Sequence, residues 1–281
     1  MPAIELRRRP VERIWGRDAL PPPFGTLGGR GEAIGEIWFE APAREPELLV
    51  KYLFTSQPLS VQVHPDAAEA RRRGLRSGKD EAWLILDAEP GAAIGLGLKE
   101  ALPRDALRAA ALSGEVERLL DWRPVAPGDI IYAPAGTIHA IGAGLSLIEI
   151  QQNCDVTYRL WDYGRNRELQ VEDAVRAAHA RPCRSHAAPG FVGEGREIAV
   201  EGEHLVVERW TGERTVGITA ADGRSVFLVA ATDSGHVDNR PLSAGTAWLV
   251  EGRCRIRLSG GAQLLVAYGG AEARPDLFAA A

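Results

Sequence analysis

Short apolar runs, each cut off within a few residues by glycine or proline, recur along the whole chain and leave little room for long helices. The 281 residues include 31 glycines and 18 prolines, and apolar runs between such breakers read as the strands of an all-β sandwich or barrel. With 45% hydrophobic residues there is enough apolar side chain for two small β units or one elaborated one. Helices enter only as insertions. Asp66 is a good N-cap for a helix over Ala67 to Arg73, so one insertion is expected near 66–74. A second is expected near 100–122, as a pair spanning Leu102 to Leu120 with Pro103 near one start and Ser113 capping the next. From Arg181 to Gly190 the composition shifts to alanine, proline and small polar residues, and strand-like segments resume at His204 to Trp210, Val226 to Ala231 and Cys254 to Leu258. This predicts a junction that divides a unit over 1–185 from a second β unit over 190–281. In the last segment Cys254, Ile256 and Leu258 alternate with Arg255 and Arg257, the pattern of an antiparallel strand with one wet face.

Charge and cysteine usage narrow the function classes. Thirty-three basic residues stand against 38 acidic ones, so no nucleic-acid partner is expected. Arg7, Arg8 and Arg9 are not followed by an apolar run, and no stretch approaches the roughly 18 apolar residues of a membrane span. A soluble, cytoplasmic protein is the expectation. Cys154, Cys183 and Cys254 are widely spaced and form no C-x-x-C, which argues against both a disulfide framework and a thiolate zinc site.

Chemistry enters at two segments. In Leu59-Ser60-Val61-Gln62-Val63-His64 the residues alternate with period 2, so Leu59, Val61 and Val63 share one face and Ser60, Gln62 and His64 the other. Gln62 and His64 would then project side by side, close enough for one ion, although a Q-x-H pair on a strand is by itself more often a hydrogen-bonded polar pair than a ligand pair. The second segment, Gly128 to His139, fits G-x5-P-x-G-x2-H, in which proline and glycine force a tight turn that aims His139 inward.

The second segment resembles the second cupin motif. The next suitable carboxylate after His64 is Glu81, too distant for a generic cupin, yet LSVQVHPD (59–66), GKDEAW (78–83), PAGTIHAIG (134–142) and EIQQNCDVTYRLWDYGR (149–165) together resemble the type I phosphomannose isomerases. The likeness runs from about Trp15 to Arg165, and in length the chain is similar to the compact bacterial form. The resemblance implies a cupin jelly-roll barrel followed by a metal-free, cupin-like second unit. It implies a metal held by Gln62, His64, Glu81 and His139, usually zinc, with manganese or cobalt also suited to such ligands. It further implies isomerisation of mannose 6-phosphate and fructose 6-phosphate through an enediol, with Lys79 and Arg159 as catalytic groups. Asp155 either orients Arg159 or takes part in proton transfer. Lys51 and Ser60 are candidate substrate contacts, with a strand-end surface lysine as the alternative for Lys51. Longer family members carry histidine where this chain has Gly78, so another group must move the proton. Two rival readings remain at this point, an isomerase of unphosphorylated sugars and a non-catalytic sugar-binding cupin. A monomer and a homodimer are both compatible with the sequence.

Overall fold

The structure is a computed structural model and describes residues 3–25, 27, 33–41, 45–184, 190–193, 195–220, 224–274 and 277–279. Among these residues the strands form four antiparallel sheets. A five-stranded sheet runs in the order Tyr158–Trp161, Val61–Val63, His139–Ile141, Ala93–Leu98, Leu120–Pro124. A six-stranded sheet runs Arg7–Arg17, Ile34–Glu40, Leu48–Phe54, Leu145–Gln152, Glu81–Ala88, Ile130–Ala133. The chain after 190 supplies six strands of a seven-stranded sheet, whose edge strand Ala3–Glu5 pairs with Ala247–Val250, and all of a second five-stranded sheet. The unit expected over 190–281 is therefore completed by the start of the chain.

The four sheets stack as layers, and the residue pattern of each strand follows from how many of its faces are covered. The six-stranded sheet is covered on both sides, so Leu48–Phe54 and Leu145–Gln152 are buried at every position and read as nearly continuous apolar runs. One face, with Leu53, Trp83, Ile85 and Leu147, packs against Ile94, Leu96 and Ile141 of the first five-stranded sheet. The other, with Ile37, Val50, Tyr52, Leu84 and Ile150, packs against Val207, Phe227, Val229, Leu249 and Leu265 of the seven-stranded sheet. A further core joins the seven-stranded sheet to the last one through Trp210, Leu228, Trp248, Ile256 and Leu258. The alternation expected for Arg253–Leu258 is present, exposed and buried residues succeeding one another along the strand. Polar residues also interrupt the doubly covered strands, and of these Lys51, Glu149 and Gln151 lie together and need a purpose.

Helices cover the outer face of the first five-stranded sheet, where Leu107, Ala111, Val116 and Ala174 pack on Val61, Val63, Ala140 and Leu160. The helix Ala67–Arg73 is capped by Asp66, whose side chain accepts from Glu69 N at 2.8 Å. In the second insertion the helices are Arg104–Ser113 and Val116–Leu119, and a strand begins at Leu120. Ser113 does not cap the second of them. It ends the first, and Glu115 occupies the cap position without a side-chain cap bond. A fourth helix, Val171–Ala177, has no counterpart in the sequence reading. No described helix is long and apolar enough to cross a membrane.

Candidate active site

Register builds the site from two facing rows. On the first five-stranded sheet Arg159 pairs with Gln62, Gln62 with His139 and His139 with Leu96. On the six-stranded sheet Trp38 pairs with Lys51, Lys51 with Glu149 and Glu149 with Trp83, while one step of the pleat away Gln151 pairs with Glu81. Directly opposed residues on one face of a sheet lie about 5 Å apart, so residues distant in sequence become neighbours. His139 is aimed by the turn at Pro134 to Thr137, closed by Thr137 N donating to Pro134 O at 3.1 Å. Its third position is Gly136 at φ 81°, a conformation glycine adopts without the penalty of a side chain.

His64, Glu81 and His139 converge, with one potential ligand atom from each lying within 4.8 Å of the others, and all three are buried. Each imidazole donates from Nδ1 to a backbone carbonyl at 2.9 Å, His64 to Val156 and His139 to Thr137. Both Nε2 atoms therefore present lone pairs to Glu81, at 3.3 and 3.4 Å. Burial, reinforced by Lys79, pushes the His64 pKa down to about 3, and burial lowers His139 as well. Neither ring is thus disposed to become a cation. Burial opposes the charge on Glu81, but the Lys79 ammonium beside it holds its carboxyl well below the usual range. Two lone pairs face a buried carboxylate whose cationic neighbour is Lys79, and two imidazoles with one carboxylate are a donor set that divalent zinc, manganese or cobalt accepts. The Gln62 amide lies alongside, its Nε2 3.2 Å from His139 Nε2 and its Oε1 accepting from Ser60 at 3.0 Å. An amide ligates through its oxygen, so Gln62 would add a fourth donor with its amide turned about from this orientation.

A cavity of about 710 Å³ opens beside this cluster, and Lys51, Ser60, Gln62, Lys79, Asp155 and Arg159 all line it. Lys79 stands 2.9 Å from Glu81 Oε1. Burial works against its charge, but Glu81 and Glu149 hold the ammonium firmly protonated. Lys51 is nearly fully buried, donates to Gln151 Oε1 at 2.8 Å and lies 3.3 Å from Glu149 Oε1 and 3.7 Å from Asp155. Its ammonium is already satisfied. Arg159 forms no ion pair among the described residues, and its buried Nε has no partner. Burial and then Arg167 lower its pKa, and Arg13 adds to the effect. Arg13 and Arg167 also line the cavity, each balanced by a carboxylate, Glu36 at 2.7 Å and Asp162 at 2.5 Å. Gly78 explains the absent histidine: a Cβ there would lie 2.9 Å from Pro65 O and 3.0 Å from the Asp66 carbonyl carbon.

Sequence reasoning passed over Glu149, Arg13 and Arg167. Glu149 accepts from Trp83 Nε1 at 3.1 Å, and burial and Glu81 raise its pKa against the pull of Lys51 and Lys79. The available signal was its position, a lone acid inside the apolar run Leu145 to Ile150.

No family model matches the chain. The putative mannose-6-phosphate isomerase YvyI of Bacillus subtilis is 33% identical over 218 residues, which span 70% of this chain and 68% of that protein. The chain belongs to the mannose-6-phosphate isomerase family. Within this family the mannose-6-phosphate isomerase of Streptococcus mutans is 42% identical over 134 residues, a match that spans 46% of this chain and 42% of that one. The chain thus spans less than half the length of that relative. A crystal structure of the mannose 6-phosphate isomerase from Bacillus subtilis superposes with a TM-score of 0.79 at 26% identity, covering 95% of this chain and 99% of that one. The all-β, cupin-type fold expected from the sequence is the fold of this mannose-6-phosphate isomerase family member.

Proposed function

We propose that the chain is a metal-dependent aldose–ketose isomerase that interconverts mannose 6-phosphate and fructose 6-phosphate. The observation that carries this reading is the convergence of His64, Glu81 and His139 lone pairs beside a cavity lined by lysine and arginine. A divalent ion held by these residues and Gln62, with zinc favoured by the family resemblance and not by the donor set, would supply the Lewis acidity that polarises a sugar carbonyl and its neighbouring hydroxyl. The remaining work falls to side chains. Glu149, with its carboxyl raised by burial and Glu81, is suited to take a proton from one carbon of the substrate and return it to the next. Lys79 keeps positive charge beside the reacting oxygens. Arg159, the cross-strand neighbour of Gln62 with an unpartnered Nε, meets the charge that develops in the enediolate. Asp155, 61% exposed at its side chain and 3.7 Å from Lys51 Nζ, helps to place that ammonium.

For the phosphate the arginines are better placed than Lys51. A phosphate on Lys51 would have to displace Gln151 and Glu149 from a buried ammonium, whereas Arg13 and Arg167 line the cavity and flank Arg159. We therefore assign Lys51 to fixing Glu149, Ser60 to orienting the Gln62 amide, and Arg13 and Arg167 to the phosphate. Phosphorylated sugars are charged and do not cross a bilayer unaided, which supports a cytoplasmic location.

A coupled isomerisation assay with mannose 6-phosphate and with free mannose separates the roles. Arg159→Ala is expected to lower kcat strongly at nearly constant KM, since its contact strengthens in the transition state. Arg13→Ala should raise KM for mannose 6-phosphate by about tenfold or more and leave any activity on free mannose unchanged. Lys51→Ala should act through kcat. Equal turnover of both sugars by the wild type would remove the phosphate from this reading, and no turnover of either by metal-loaded protein would remove the reaction.

A further inference from the structure

Asp80 stands between Lys79 and Glu81, but the pleat sends its side chain to the opposite face, and it is not among the residues lining the cavity. It is buried, 4% exposed, with no cationic partner among the described residues. A carboxylate held in such a place without a counter-charge is costly unless its hydrogen bonds do specific work. Oδ1 accepts from Ala135 N at 2.8 Å, in the turn that aims His139. Oδ2 accepts from Tyr132 Oη at 2.7 Å, on the strand that pairs with Glu81. The backbone of Asp80 exchanges bonds with Gln152, its N–H donating to Gln152 Oε1 and its carbonyl accepting from Gln152 N, both at 3.0 Å.

The same three segments are braced to one another at the backbone. Lys79 N donates to Pro65 O at 3.0 Å, next to His64, and Gly136 N donates to His64 O at 2.9 Å. The segment bearing His64 is thus tied both to the Lys79–Glu81 stretch and to the turn of His139, and Asp80 closes the triangle by tying those two together. Tyr132 extends the brace. Its hydroxyl packs so closely on Gly202 that a methyl group there would collide with it, and the Glu203 backbone also bonds it. The turn after Arg196–Glu201 therefore reaches the metal-ligand segments through Tyr132 and Asp80.

We propose that Asp80 is the positioning residue of the cation site: it sets the distance between Glu81 and His139 and links both to the seven-stranded sheet. This inference rests on the metal reading above. Both are tested by titrating purified, metal-stripped protein with cobalt(II) and recording its visible spectrum, with thermal melts of the same samples. Wild type should bind one cobalt per chain. Asp80→Ala, in samples that melt cooperatively, should weaken cobalt by about ten- to hundredfold and alter the ligand-field bands, as removal of an outer partner does. Asp80→Asn should recover most of the affinity, because its oxygen can accept from Ala135 N while its amide donates to Tyr132 Oη. Tyr132→Phe, which leaves the bond to Ala135 in place, should weaken binding by less than Asp80→Ala does. If Asp80→Ala fails to fold, Tyr132→Phe decides: wild-type affinity and spectrum in that variant would overturn the proposal. Unchanged cobalt binding in a folded Asp80→Ala protein would overturn it directly while leaving the metal reading intact. Absence of cobalt binding by the wild type would overturn both.

Discussion

Glu149 lies buried beside Glu81, and Lys51 and Lys79 face the pair from either side. Burial and the Glu81 charge raise its pKa, so between the ordinary carboxylate value and the raised one the folded chain binds more protons than the unfolded chain. The stability Glu149 contributes is complete below the ordinary value and is lost as pH rises through the raised one. In metal-free protein, Glu149→Gln should therefore gain melting temperature over wild type, and the gain should grow as pH is raised from about 5 toward 8. A pH-independent difference would contradict the buried-acid assignment. At Gly78 the prediction is steric. Gly78→Ala sets a methyl 2.9 Å from Pro65 O and should cost about 1 to 3 kcal/mol by denaturant unfolding; an unchanged midpoint would show that the segment relaxes freely. His64, Glu81 and His139, which the structure brings together, could be named from the sequence because four segments in order resemble the motifs of a known family. Glu149, Arg13 and Arg167 could not, because their approach to the site depends on cross-strand register, which a single sequence does not display.

Strands were read well where one face is wet and poorly where both are covered. Arg253–Leu258 alternates openly, whereas Leu48–Phe54 is buried throughout and only its lysine breaks the apolar run. Helix starts were legible in proportion to their caps. Asp66 accepts from Glu69 N, and Asp66→Ala should destabilise the fold by about 1 kcal/mol, read as a lowered urea midpoint at unchanged slope; a loss indistinguishable from zero would mean that packing of Ala70 alone holds this helix. The helix Val171–Ala177 went unseen because Gln170 gives it no side-chain cap bond and it is only 7 residues long. Ser113 misled for the opposite reason. A good capping residue sits in the last turn of one helix, and its Oγ accepts from Glu115 N at 3.4 Å in the link to the next.

The six-stranded sheet carries the candidate site on one face and a core shared with the seven-stranded sheet on the other. Deleting packing on the shared face should therefore disturb metal retention without touching the site. Phe227, 1% exposed in that core, should cost about 3 to 5 kcal/mol as Phe227→Ala, and metal release and loss of tryptophan signal should then occur in one transition at a lowered temperature. Two separated transitions would mean that the halves of the chain fold independently. The junction expected near 181–190 falls partly outside the described residues, and pairing of Ala3–Glu5 with Ala247–Val250 joins distant parts of the sequence by contacts that no local pattern encodes. All of this structure serves one claim, that a divalent ion held by His64, Glu81 and His139 drives isomerisation in the adjoining cavity. The most direct test measures bound metal per chain and conversion of mannose 6-phosphate to fructose 6-phosphate in the same samples of wild type, Glu81→Ala and His139→Ala. One ion per chain and turnover are expected in the wild type, with metal and activity falling together in both variants; full metal content with wild-type turnover in either variant would contradict this assignment.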